Sequence, residues 1–163
     1  GWKEPNSYLI LKSLYHVYPS LRYIHCVRHG LDMAYSQNQQ QLMNWGGWFG
    51  ITAAEVLKDK AQASFRFWKE ANRSVIKYSD HLGSDNFYLL NFDRMCRHPG
   101  EEVSSLMNFL QPGYPGCKIE QLAGLPKLPS SSGRYKRENI NWLTRDDRDF
   151  LIRLGFDCPL SLV

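Results

Sequence analysis

Two short apolar runs along this chain have the composition of buried strands, and stretches with helical spacing surround both. Tyr23-Ile24-His25-Cys26-Val27 is one run and Asn86 to Phe92 the other; both are rich in β-formers and bounded by polar residues. Between them Leu57, Ala61, Phe65, Trp68, Ala71, Val75 and Leu82 recur at three-, four- and seven-residue intervals, predicting one long helix from Ala53 to about His81. Lys58, Lys60, Arg66, Lys69, Arg73 and Lys77 would line its wet side. An earlier helix is expected from Asn6 or Ser7 to Val17, with Leu9, Ile10, Leu14 and Val17 turned inward and Pro19 ending it. After the second strand, Pro99-Gly100-Glu101-Glu102 opens an apolar helix that ends near Leu110, and Pro112 to Pro129 reads as a long surface connection. Thr144 followed three residues later by Asp147 resembles a capping box, and Phe150, Leu151 and Leu154 before Gly155 predict a terminal helix covering the sheet. Strand, helix and strand in this order predict an α/β fold with a parallel sheet flanked by helices.

The chemistry concentrates where the first run ends. Arg28 follows the strand directly, Gly30 supplies a tight turn, and a helix is expected from Leu31 to about Gln39 with Ser36 one or two turns into it. Ligands of open α/β sheets sit beyond the carboxyl ends of strands, where helix N-termini favour negative charge. Arg28 can add a bidentate, charge-assisted contact and Ser36 a hydroxyl donor. On this pattern alone an ordinary surface arginine and an ordinary helix serine remain the alternative. Trp45-Gly46-Gly47-Trp48-Phe49, after the glutamine-rich run Gln37 to Gln41, reads as a loop that either faces a substrate or packs back on the domain.

Length fits one domain over residues 1–163. The net charge of +4 is too modest for a nucleic-acid footprint, and the aromatics do not recur at the spacing of a stacking module. Cys26, in the first strand, is expected to be a buried thiol, and Cys117 and Cys158 lie where an oxidising compartment could pair them. His and Cys spacings match no standard metal site, so no metal is expected. No apolar run is long enough to cross a membrane.

The run Arg28-His29-Gly30-Leu31-Asp32-Met33-Ala34-Tyr35-Ser36 resembles the 3'-phosphate motif of the P-loop sulfotransferases: Arg28, Asp32 and Ser36 match, while His29-Gly30 departs from the usual pair. The Asn86 to Phe92 strand leading to Asp93 resembles the family's second strand with its acidic residue. Ser132-Gly133-Arg134-Tyr135-Lys136-Arg137 resembles the basic loop that closes over the donor nucleotide. The resemblance implies a three-layer P-loop-type parallel sheet, with 3'-phosphoadenosine 5'-phosphosulfate as donor and adenosine 3',5'-bisphosphate as product. It implies Arg28 and Ser36 as ligands of the 3'-phosphate, Arg134, Tyr135 and Lys136 as further nucleotide contacts, and Asp32 as an organiser of the turn or helix. The phosphate-binding loop of the family, Gly-rich and followed by Lys-Ser or Lys-Thr, is not found in these residues.

From that resemblance the chain is expected to be the C-terminal part of such a domain, incomplete at the N-terminus and supplying the 3'-phosphate half of the donor site. A missing N-terminal segment or self-association would then complete the sheet. The reaction implied is transfer of a sulfuryl group to an acceptor hydroxyl or amine of unknown identity. Lys3, expected at a strand end, is the candidate contact to the transferring group, and Glu4 the candidate base. A cytoplasmic setting is slightly favoured and a secretory one stays open. The alternatives are an inactive nucleotide- or protein-binding domain and, behind it, a nucleic-acid binder.

Overall fold

The computed structural model describes residues 1–158 in order, together with all their side chains except that of Cys117. The Cys117 half of the proposed cysteine pairing therefore lies outside the described residues. Helices dominate around a small sheet: α1 (Leu11–Val17), β1 (Tyr23–Val27), α2 (Gly30–Ala34), α3 (Gln40–Trp45), α4 (Ala53–Lys58), α5 (Lys60–Ser79), β2 (Phe87–Asn91), α6 (Phe92–Arg97), α7 (Pro99–Leu110), α8 (Gly116–Ala123) and α9 (Arg145–Arg153). Short 3-10 turns occupy Ser7–Ile10, Gly46–Phe49 and Arg134–Arg137. The fold is α/β with two parallel strands paired from Tyr23↔Phe87 to Val27↔Asn91, as expected for strands joined by a helical crossover.

The chain divides into two compact units. One comprises residues 1–27 and 72–127, the other 28–71 and 128–163, with one boundary inside α5. The first unit holds the sheet. Leu11, Val75 and Leu82 form a buried cluster with Tyr8, Tyr15, Tyr23, Tyr78 and Phe87 around it. Leu90, Met95 and Val103 form a second, packed by Ile24, Tyr88, Leu106 and Met107 among others. His25 is buried between Tyr23 and Phe87, with ring centroids 6.0 and 6.4 Å away, and its Nε2–H donates to Asn72 Oδ1 at 2.8 Å. Burial lowers the His25 pKa, and the Asn72 contact opposes that only in part.

Several expectations for this unit are corrected. The N-terminal helix begins as a 3-10 turn, and the change of period at Ile10 turns Leu11 inward while Ile10 and Val17 stay half exposed or more. Cys26 is exposed, because the strand alternates and its neighbours His25 and Val27 take the buried positions. The connection after Pro112 contains α8, whose Ile119, Leu122 and Ala123 pack on the second cluster. Lys3 is at no strand end; residues 1–4 have no regular structure, and Lys3 and Glu4 are both exposed.

In the second unit Phe65, Trp68, Phe150 and Leu151 lie at the centre, with Trp68 against Phe65, Phe150 and Phe156 at 5.5, 5.8 and 6.2 Å. The single long helix expected from Ala53 is two. Asp59 adopts an extended backbone, its N–H bonds back to the Glu55 carbonyl to close α4, and its carboxylate accepts the Gln62 N–H to start α5. Leu57, one residue before the helix closes, is therefore exposed and leaves the expected stripe. The capping box of α9 forms as the spacing implies: Thr144 Oγ1 accepts the Asp147 N–H at 3.2 Å, and Asp147 Oδ2 accepts the Thr144 N–H at 2.9 Å. The other Asp147 oxygen pairs with Lys69, whose side chain is largely covered and not on a wet face. Burial alone would raise the Asp147 pKa, but Lys69 and Thr144 outweigh it and hold the carboxyl below its usual value.

Candidate functional site

Arg28, Ser36, Arg134, Tyr135 and Lys136 all belong to the second unit. Arg28 is the first residue after β1, and α2 separates it from Ser36. A five-residue helix is only about 7.5 Å long, so the two motif residues flank one and a half turns. So short a helix has little dipole of its own, and charge for an anion must come from side chains.

The sequence predicts a helix to about Gln39, and the structure ends it at Ala34. The cause is Gln39, a buried side chain whose Nε2 donates to the carbonyls of Met33, Ala34 and Ser36 at 3.0, 3.0 and 2.8 Å. Its Oε1 accepts the Ser64 hydroxyl at 2.7 Å. Three carbonyls are thereby capped from outside the helix, and Ser36 sits just past the helix end. Sequence reasoning missed Gln39, although a glutamine within reach of a helix end in a polar run is the signal for such a cap.

The departure from the family motif at His29-Gly30 is accounted for by packing. His29 caps α2: its Nδ1 accepts the Leu31 N–H at 3.2 Å, which leaves Nε2–H to donate to the Asp157 carbonyl at 2.9 Å. Its ring stacks on Tyr135 at 4.4 Å. A Cβ on Gly30 would lie 2.5 Å from Trp68 Cε3, so only glycine lets the indole close over the start of the helix.

Asp32, in the middle of α2, is buried. Its carboxylate accepts the Gly133 N–H at 2.8 Å and the Tyr135 N–H at 3.4 Å, reaching 101 and 103 residues along the chain. The resemblance implies a role in organising its own turn or helix, and the carboxylate is instead engaged with the distant loop. Gly133 holds φ +78, a left-handed conformation that opens the following turn. Arg134 Nε donates to the Ser131 carbonyl at 3.1 Å, and its Nη1 donates to the Tyr35 carbonyl at 3.4 Å, beside Ser36. His29, Asp32 and Tyr35 thus hold the basic loop along α2 from end to end. Tyr35 is also anchored from its far side: its hydroxyl donates to the Asn139 carbonyl at 2.8 Å and accepts from Trp142 Nε1 at 3.3 Å.

Lys136 is exposed and Tyr135 is buried against His29. Beside them lies a concavity of about 480 Å³, lined by Tyr135, Lys136, Glu138, Ile140, Asp157 and Cys158. Lys3 and Glu4 belong to the other unit, where Glu4 Oε1 accepts the Asn6 N–H at 2.9 Å. The aromatic segment after α3 divides its roles: Phe49 packs edge-on against Phe67 at 5.5 Å, while Trp48 is largely exposed. Among the described residues no cluster of His, Cys, Asp or Glu is arranged to hold a metal, and no helix is long and apolar enough to cross a membrane.

The basic loop is thus tied along a short helix that has Arg28 just before it and Ser36 just after it. Residues 2–115 match the model of the Sulfotransferase family, and with 114 of 163 residues covered the chain belongs to that family. The match includes Arg28 and Ser36 and stops short of the basic loop. Comparison with curated proteins and with solved structures found no match.

Proposed function

We propose that this chain acts in a sulfotransferase that takes 3'-phosphoadenosine 5'-phosphosulfate as donor, and that it anchors the donor's 3'-phosphate. Arg28 supplies a forked cation, Ser36 a hydroxyl, and Arg134 and Lys136 further positive charge, with Tyr135 beside the nucleotide. The carrying observation is the clasp of Gly133 and Tyr135 by the Asp32 carboxylate, which ties the loop bearing Arg134 to the helix between Arg28 and Ser36. The residues fit an anion: Asp32 is occupied by backbone N–H groups, the cations and Ser36 are grouped on the loop and the helix ends, and the Ser132 hydroxyl oxygen is buried with no hydrogen-bond partner among the described residues.

When bound, the donor supplies a sulfuryl group whose bond to the 5'-phosphate oxygen breaks as one to an acceptor oxygen or nitrogen forms. The contribution of Arg28, Ser36 and the loop is to fix the nucleotide so that this group is held in place. Lys3 as a contact to the transferring group and Glu4 as base belong to the same proposal, as does a three-layer P-loop-type sheet in one sulfotransferase-like domain over residues 1–163. The parallel pairing of β1 and β2 across a helical crossover supports the sheet reading.

Calorimetric titration with adenosine 3',5'-bisphosphate, beside adenosine 5'-monophosphate, tests the anchor. Preference for the bisphosphate by tenfold or more, lost in Arg28→Ala, is the expected outcome. Equal binding of both nucleotides, or a preference that Arg28→Ala leaves intact, refutes it. Tighter binding to a single-stranded oligonucleotide with a steep salt dependence would instead favour a nucleic-acid binder.

A further inference from the structure

His29 stands at one of the two positions where the chain departs from the family motif, and its ring contacts admit one protonation state only. The Leu31 N–H can only donate, so Nδ1, 3.2 Å away, carries a lone pair. The Asp157 carbonyl can only accept, so Nε2, 2.9 Å away, carries the hydrogen. A second proton, on Nδ1, would point at the Leu31 N–H and abolish the cap of α2. It would also put a charge on a side chain only 4% exposed, which is costly unless that charge is paired.

The same ring supports the basic loop. Tyr135, buried in the 3-10 turn Arg134–Arg137, stacks on it with centroids 4.4 Å apart and planes inclined by 25°, and Phe156 lies against it at 5.1 Å. A ring turned or expelled by protonation no longer offers Tyr135 that face. Of the charged and titratable groups on the elements packed here, Arg28 and Asp32 are in the imidazole's own segment. Arg134, Lys136 and Arg137 accompany Tyr135 on the loop, and Asp157 and Cys158 follow Phe156. Asp32 is committed to the Gly133 and Tyr135 N–H groups, and the cations among these residues outnumber the carboxylates, so a charged ring gains no net compensation from them. All of these residues belong to the second unit.

We infer that His29 is a positioning residue for the proposed nucleotide anchor: its neutral ring holds the Tyr135 turn against α2, and protonation frees that turn and weakens donor binding. Only the effect on donor binding rests on the anchor reading; the hold itself is a property of the nucleotide-free chain. For an imidazole with the ordinary value of about 6.5, roughly one ring in eleven is neutral one pH unit lower, which bounds the effect at about tenfold.

Hydrogen exchange of the full 163-residue chain without nucleotide reads the hold. Protection of the Gly133 and Tyr135 amides, relative to the intrinsic exchange rate at each pH, should fall about threefold or more between about pH 7.5 and 5.5. His29→Asn keeps an oxygen to cap the Leu31 N–H but takes up no proton in that range, so its protection should start lower and stay level. Unchanged protection in the unmodified chain, the same fall in the variant, or ring nitrogen shifts that place the neutral proton on Nδ1 overturns the inference. Calorimetric titration with adenosine 3',5'-bisphosphate at the same two pH values reads the consequence. The ligand's phosphates titrate near about pH 6 and affect both chains alike, so the unmodified chain should lose more affinity than His29→Asn by about threefold or more. An equal loss in the two chains also overturns the inference. A fall in protection confined to the unmodified chain, with no preference for the bisphosphate over adenosine 5'-monophosphate at either pH, would refute the anchor and leave the hold of His29 on the loop standing.

Discussion

Replacing Gly30 by alanine sets two effects of opposite sign against each other. Gly30 is the first residue of α2, where exchanging glycine for alanine relieves backbone entropy and favours the helix by roughly 0.5–1 kcal/mol. Against that, the added carbon would lie 2.5, 2.6 and 2.7 Å from Cε3, Cζ3 and Cδ2 of Trp68. Unbonded carbons prefer about 3.5–4.0 Å, so the indole or the helix must give by about 1 Å. Trp68 has little room to retreat, since Phe65, Phe150 and Phe156 hold it on other sides with centroids 5.5 to 6.2 Å away. Overpacking of a filled core costs about 1–3 kcal/mol, and this geometry belongs at the upper end. The net expectation is destabilisation by about 2 kcal/mol, or roughly 4–8 °C in melting temperature for a chain of this length. Urea unfolding of Gly30→Ala measures it, and the double variant with Trp68→Leu isolates the cause, because the Gly30→Ala penalty should largely vanish when the indole is gone. A single variant as stable as the parent, or more stable, would mean that helix propensity wins and that the closeness of Trp68 does not explain the glycine.

Two acid-dependent predictions follow from the buried titratable groups and occupy different pH windows. Asp147 is held below its ordinary value by Lys69 and Thr144 against the opposing effect of burial, so the folded chain binds its proton less readily than the unfolded chain. Its contribution is present above the unfolded value of about 4 and lost as pH falls through the folded one; in Lys69→Met, where burial acts with less opposition, the urea midpoint should lose part of that acid slope, and an unchanged slope would rule out the pair as its source. His25 is lowered by burial, so the unfolded chain takes up the proton first. Stability should be full above about pH 6.5 and decline as pH falls below it, and His25→Phe, though less stable for the lost hydrogen bond to Asn72, should flatten the urea midpoint below about pH 6.5; a slope as steep as the parent's would assign it to other groups.

What the sequence disclosed and what it hid divide by the range of the interaction. The strands, the capping box at Thr144 and the core positions Phe65, Trp68, Ala71, Val75 and Leu82 are written in local pattern, and they appear where pattern puts them. The break at Asp59 is also local, but an Asp between two lysines reads as part of a solvated face until its carboxylate is seen starting a helix at Gln62. The end of α2 depends on Gln39 reaching back to three carbonyls, an arrangement for which helical spacing of Leu31 to Gln39 gives no warning. Least legible is the site itself. Arg28, Asp32 and Ser36 are evenly spaced by four, and the sequence puts Arg28 at the strand end with Asp32 and Ser36 both inside the following helix. In the structure only Asp32 is within the helix; Arg28 and Ser36 flank it, and the central carboxylate turns to a loop 101 residues away. The even spacing therefore separates two flanking residues, to which the proposed anchor assigns the anion, from a middle one that holds the loop against the helix. His29 and Gly30, the two positions that depart from the family motif, both pack on partners outside it: Tyr135 and Asp157 for the imidazole, Trp68 for the glycine. A motif can vary at such positions without losing the site, provided those distant partners vary with them.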